Sequence, residues 1–170
     1  NYVLGGDVTL TSGALKVEAN NEVTLNLNGK KLTNQTGANT IEVAAGGTLT
    51  IEGPGTVDNV SHQKAAVNNS GTVVLNGGTY TRSEEKGTSE EDSGSNSYYT
   101  ILNHGTMTIN EGVTVNQGAD GAGKFSSLIE NGWYNGNGNT GGEPSVMTIN
   151  GGTFSGGLNT IKNDDYGELT

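Results

Sequence analysis

The stretch GTLTIEG, Gly47 to Gly53, decides how this chain is read. Its alternation sets Leu49 and Ile51 on one face and Thr48 and Thr50 on the other, the period-two pattern of a half-buried strand. Glycines close it at both ends. Nearly the same phrase recurs as EVTLNLNG (Glu22–Gly29), GTVVLNG (Gly71–Gly77), GTMTINEG (Gly105–Gly112) and SVMTINGG (Ser145–Gly152), and GELT (Gly167–Thr170) begins a further copy. With Leu27, Ile51 and Leu75 as equivalent anchors the interval is a constant 24 residues, after which Ile109 follows by 34 and Ile149 by 40. A constant unit with growing spacers describes stacked coils with loops let out between them.

Each copy brings two companion strands. One follows the anchor, around Leu32, Val57, Tyr80, Val115 and Phe154; the other precedes it, at Ile41 and Val43, Ala66 and Val67, Ile101 and Leu102, Leu128 and Ile129, then Ile161. Three short strands per turn, joined at Gly and Asn corners, predict an all-β, single-domain parallel β-helix of about six coils over residues 1–170. The handedness of parallel crossovers makes right-handed winding the expectation. Asn28, Glu52, Asn76, Asn110 and Asn150 take the same corner in successive copies, where their side chains either stack amide to amide along the axis or serve only tight Asn-Gly turns.

Composition narrows the function. Only 31% of the residues are hydrophobic, as suits a thin core running along an axis. A net charge of −10 repels polyanions over most of the surface, which argues against nucleic acid and anionic membranes as partners. No apolar run approaches the roughly 20 residues of a membrane span, so no membrane insertion is expected. The absence of cysteine removes disulfides and thiolate metal sites. The strand open at Gly167–Thr170 reads as a coil cut short in a longer chain. Such an edge predicts end-to-end self-association or fraying, with the other end covered by an irregular opening turn over Asn1–Gly13.

The opening DVTLTSGALKVEANNEVTLNLNGKKLTN (Asp7–Asn34), followed by GGTLTIEGPGTVDN (Gly46–Asn59), resembles the start of β-helical regions in large secreted or wall-attached proteins of Gram-positive gut anaerobes, within the pectate-lyase-like, right-handed β-helix superfamily. The resemblance covers essentially the whole chain. Its one noted departure is Asn26, where those openings commonly carry Asp. It implies an extracellular, adhesin-like bacterial surface segment and carries over no functional residue.

The superfamily's lyases use carboxylate-bound Ca²⁺ and a basic residue on an exposed sheet. The outward positions of the anchor strands here are Thr24, Asn26, Thr48, Thr50, Thr72, Val74, Thr106, Thr108, Val146 and Thr148, which offer neither. Arg82, the single arginine, reads as a solvated residue at the mouth of an insertion; His62 and His104 read as solvent-facing corner residues. Hydrolysis would need paired Asp across coils. Asp58, Asp120, Asp164 and Asp165 do not recur in register, although the Asp164-Asp165 pair stays open. The acidic insertion Ser83–Ser97 lacks the acid spacing and fixed glycine of a calcium loop. No catalytic residue, metal site or cofactor is therefore expected, and the chain reads as non-enzymatic.

Two features stand out. The insertion ENGWYNGNGNTGGE (Glu130–Glu143) places Trp133 beside Tyr134, rings that either stack on a sugar or a protein partner or fold back over the coil. Lys124 and Phe125, in the neighbouring insertion Gln117–Ser126, are expected to flank them. Threonine columns on the anchor sheet raise a different reading, ice binding, although Thr is also what an exposed strand prefers. The expectation is a non-enzymatic scaffold displaying loops for glycan or host-protein binding; the alternatives are a polysaccharide lyase or hydrolase with active residues in further coils, and an ice-binding sheet.

Overall fold

The computed structural model describes residues 1–61, 63–84, 99–117, 127–157 and 159–170, and over these the chain winds as a parallel β-helix. The first coil is β1 (Tyr2–Val3), β2 (Val8–Leu10) and β3 (Leu15–Val17); the second is β4 (Glu22–Asn26), β5 (Lys31–Asn34) and β6 (Ile41–Val43). The third is β7 (Thr48–Glu52), β8 (Thr56–Asn59) and β9 (Val67–Asn69), and the fourth β10 (Thr72–Leu75), β11 (Gly78–Thr81) and β12 (Ile101–Asn103). Then come β13 (Thr106–Ile109), β14 (Val113–Asn116) and β15 (Ile129–Asn131), followed by β16 (Ser145–Ile149), β17 (Thr153–Ser155) and β18 (Ile161–Asn163). β19 (Gly167–Leu169) starts the next turn. Every third strand joins the same sheet: sheet A holds seven, β1-β4-β7-β10-β13-β16-β19, and sheets B and C hold six each. All these pairings are parallel, so each inner strand finds its backbone partners in the coil above and the coil below. Among the described residues no helix is long and apolar enough to cross a membrane.

The core is built of apolar columns, two of them in sheet A, where Val23, Leu49, Val73, Met107 and Met147 stack beside the anchor column. In sheet B Leu32, Val57, Tyr80, Val115 and Phe154 stack in register, and in sheet C Leu15, Ile41, Val67, Ile101, Ile129 and Ile161 do. Tyr80 is fully buried and its hydroxyl donates to Gly77 O at 2.9 Å. The recurrent Gly-Thr that opens a sheet-A strand has a steric cause. A Cβ at Gly71 or Gly105 would run into the carbonyl oxygen of Gly47 or Gly71 one coil away.

Sheet A corrects the anchor. Leu25, not Leu27, pairs with Ile51, so the column is Leu25, Ile51, Leu75, Ile109 and Ile149. EVTLNLNG carries two leucines two residues apart, and a period-two pattern cannot say which is in register. Leu27 lies past the end of β4 and fills the corner instead, fully buried beneath Gly55 and Gly78. The corner asparagines shift with it: Asn26 pairs with Glu52, while Asn28 turns left-handed at φ 51° and donates its amide to Leu4 O at 3.0 Å.

The stacking expected at that corner is present farther along, where Asn110 Nδ2 donates to Asn76 Oδ1 at 2.7 Å and Asn150 Nδ2 to Asn110 Oδ1 at 2.8 Å. A second ladder, unread in the sequence, runs inside the C-to-A corner. Asn69, Asn103 and Asn131 each pass an amide hydrogen to the next asparagine at 2.7–2.8 Å, ending on Asn163, and all three donors are fully buried.

Two further expectations change. Asn1–Gly13 is not an irregular turn: β1 and β2 pair with β4 and β5 as part of a first coil. Arg82 is not solvated but completely buried. The start of its insertion is drawn inward because Ser83 donates from both its N–H and hydroxyl to buried Asp58, at 2.9 and 2.6 Å, and Lys31 Nζ sits 2.8 Å from the same carboxylate.

Candidate functional site

The most elaborated surface lies on sheet C. Its outward column runs Lys16, Glu42, Asn68, Leu102, Glu130 and Lys162, one residue per coil, because these are the central positions of β3, β6, β9, β12, β15 and β18. Near one end Lys16 and Glu42 pair at 3.6 Å beside a shallow cleft of about 250 Å³. Near the other, Tyr99, Leu102, His104, Glu130, Trp133, Tyr134 and Asn137 enclose a second cleft of about 240 Å³.

The loop between β15 and β16 builds that second cleft by folding back over the sheet. Trp133 N–H donates to Asp165 O at 2.8 Å, and the indole stacks on His104 with ring centres 3.6 Å apart and planes 11° from parallel. Gly138 packs against the other side of the loop's turn so closely that a Cβ there would overlap the indole. Asn139 then braces the return, its amide donating to Glu143 O and its carbonyl accepting from Gly142 N–H, both at 2.8 Å. Trp133 is thus a structural wedge with one face already occupied, while Tyr134 projects with 55% of its surface exposed. The two rings read together in the sequence divide into one that folds back and one that presents itself. Lys124, Phe125, His62, Asp120 and most of the acidic insertion lie outside the described residues.

Beneath Tyr134 lies a charge cluster. Lys162 Nζ stands 4.6 Å from the Tyr134 ring centre, an attractive cation–π distance. It pairs with Asp164 at 2.7 Å, lies 3.9 Å from Glu130 Oε1 and 3.5 Å from the Tyr99 hydroxyl. Glu130 is only 3% exposed, under the loop and against Tyr99. Burial pushes its carboxyl up to about 7, with the Asp164 charge adding to the effect and Tyr99 and Lys162 opposing it. Burial works against the charge on Asp164 too, yet the Lys162 contact prevails and holds its carboxyl low. For Lys162 burial is likewise outweighed, by Asp164, Tyr99 and Glu130, and its ammonium is held above the ordinary lysine value. His104 is pushed down by burial and is not the solvent-facing corner residue expected. As pH falls, Glu130 is therefore the carboxyl of the cluster that takes up a proton first, while the Lys162 contact holds Asp164 in its charged form to lower pH.

Glu130 gives stability a pH dependence of definite sign. Between the ordinary glutamate value of 4.5 and about 7, the folded chain holds a proton that the unfolded chain has lost. Stability is full at the acid end and falls as pH rises through that window, by about 3 kcal/mol. The melting temperature is expected to drop between pH 4.5 and pH 8, and Glu130→Gln to flatten most of that drop. Equal slopes in the two proteins would disprove it.

Sequence reasoning missed Glu130, Lys162 and Tyr99 as a group because outward positions were followed only on the anchor strands. The signal was there: applying the same register to the third strand lines up Leu102, Glu130 and Lys162. On the anchor face one outward column runs Glu22, Thr48, Thr72, Thr106, Val146 and Glu168, so it carries an acid at each end, and the other runs Thr24, Thr50, Val74, Thr108 and Thr148. No protein-family model, curated protein or solved structure matches the chain.

Proposed function

We propose that this chain is a non-enzymatic, extracellular segment of a bacterial surface protein of the pectate-lyase-like kind, a stiff scaffold that binds glycan on the outer face of sheet C. The observation that carries the reading is the cleft walled by an exposed tyrosine ring, Tyr134, and the buried Glu130, with the Lys162–Asp164 pair beside it against the same ring. An apolar ring beside hydrogen-bonding groups is the usual equipment for gripping a sugar unit. The cleft volume of about 240 Å³ falls below the roughly 300–1,000 Å³ of pockets that enclose a whole small molecule. That favours a shallow grip on one unit of a polymer lying along the face.

Tyr134→Ala tests it. With the side chain exposed, the melting temperature should stay within a degree or two, while binding to the glycans recognised by the wild type on an array weakens about tenfold or more. A wild-type protein that recognises no glycan, or binds only a host protein, would sink this reading. A second reading, hydrolysis of the bound glycan, is favoured by one feature, two neighbouring carboxyls driven apart, Glu130 pushed up to about 7 by burial and Asp164 held low by Lys162. Release of reducing ends that disappears in Glu130→Gln would select it.

A further inference from the structure

Six asparagines of this chain are followed directly by glycine: Asn28, Asn76, Asn131, Asn135, Asn137 and Asn150. An Asn-Gly pair can modify itself, because glycine has no side chain to shield its nitrogen or to restrict the rotation that brings that nitrogen onto the asparagine amide. The nitrogen gives up its proton and bonds to the side-chain carbonyl carbon; the bond from that carbon to Nδ2 breaks, and the amide nitrogen leaves with the proton as ammonia. Water then opens the cyclic imide at either carbonyl. The product is aspartate, or its isomer in which the main chain runs through the side chain, and nothing is oxidised or reduced.

The fold restrains five of the six pairs. Asn131 is a buried rung, donating to Asn163 and accepting from Asn103. Asn76 and Asn150 are pinned through their side-chain amides to Asn110 in the outer ladder. Asn28 donates its amide to Leu4 O while Gly29 N–H donates to Pro54 O at 2.6 Å, and Gly136 N–H, the attacking group of the Asn135 pair, donates to Trp133 O at 2.9 Å. In Asn137-Gly138 neither the side-chain amide nor the glycine N–H makes a hydrogen bond among the described residues, and both residues are exposed. Asn137 closes the turn Tyr134–Gly136 with ψ 121°, which turns the Gly138 nitrogen away from the side chain, so attack waits on a rotation about the Asn137 Cα–C bond. The next restraint along the chain is a long bond, Asn139 N–H to Gly136 O at 3.2 Å.

We propose that Asn137 is a self-modification site of the folded protein, converting through a cyclic imide to aspartate or isoaspartate. Asn137 lines the cleft beside Tyr134, so the change adds a carboxylate to a wall that already holds Glu130, whatever the cleft binds.

The experiment incubates the whole chain at pH 8.5, where the attacking nitrogen loses its proton more readily, both folded and in concentrated urea. Fragmentation mass spectrometry then reads the exchange of amide nitrogen for oxygen at each of the six sites. In the folded chain Asn137 should convert at least about tenfold faster than any of the other five, which must first open locally, and in urea the six rates should converge. Ammonia release from the folded chain should more than halve in Asn137→Gln, whose longer side chain closes its ring far more slowly. Conversion led by another asparagine, or an Asn137 that stays intact in the folded chain while all six convert in urea, overturns the assignment.

Discussion

Leu75→Asp is expected to abolish the cooperative thermal transition of the chain. Leu75 is fully buried between Ile51 and Ile109 in the sheet-A anchor column, with apolar neighbours across the core from the other two sheets. A carboxylate placed there has no cation to meet and must either lose its hydration or drag a proton into the core. An unpaired buried charge costs several kcal/mol, of the order of the whole stability of a domain, about 5–15 kcal/mol. The damage also spreads, since a coil that cannot close exposes the backbone edges of the coils on either side. Loss of the melting transition in circular dichroism is the result to look for. An unshifted, cooperative melt would mean that Leu75 does not face the interior.

Asn103→Leu comes next in size. Asn103 sits in the middle of the buried ladder: its Oδ1 accepts from Asn69 Nδ2 and from Gly105 N–H, and its Nδ2 reaches Asn131 Oδ1, Gly105 O and Val146 O. Leucine fills the space but leaves Gly105 N–H and Asn131 Oδ1 without partners where water cannot replace them. Each such orphan costs about 1–3 kcal/mol, for a total of about 2–6 kcal/mol. Asn110→Ala in the outer ladder breaks two bonds of the same length, 2.7 and 2.8 Å, but there water takes over. Its cost should stay below about 1 kcal/mol. Urea denaturation of the two variants measures the contrast. Equal losses would show that burial does not distinguish the ladders.

The cleft explains why a site can be harder to read than the fold that carries it. Glu130 and Lys162 are 32 residues apart in sequence and adjacent on sheet C only because successive coils place β15 beside β18. Nothing local marks Glu130 as buried: the loop that covers it begins two residues later and is held down by a stack of Trp133 on His104, a residue of the preceding coil. Tyr134 and Trp133 look equivalent as a dipeptide. Their opposite fates follow from the backbone of the loop, which turns one ring onto the coil and the other into solvent. Arg82 teaches the same lesson, since the arginine read as a solvated residue is fully buried.

What the amino-acid sequence determined by itself is whatever depends on local periodicity. Alternating apolar residues make strands, glycines and asparagines make corners, and repetition of the unit makes parallel stacking the way for each coil to bury its apolar face. Only the tertiary structure decided register, and with it everything that depends on which side chain lies above which. Leu25 and Leu27 satisfy the same alternation, and contacts between coils place the first in the column and the second in the corner. Likewise an asparagine at a turn is compatible with many partners. It becomes a rung of a ladder when the next coil sets another asparagine a hydrogen bond away, and that distance is a property of the stack, not of the residue.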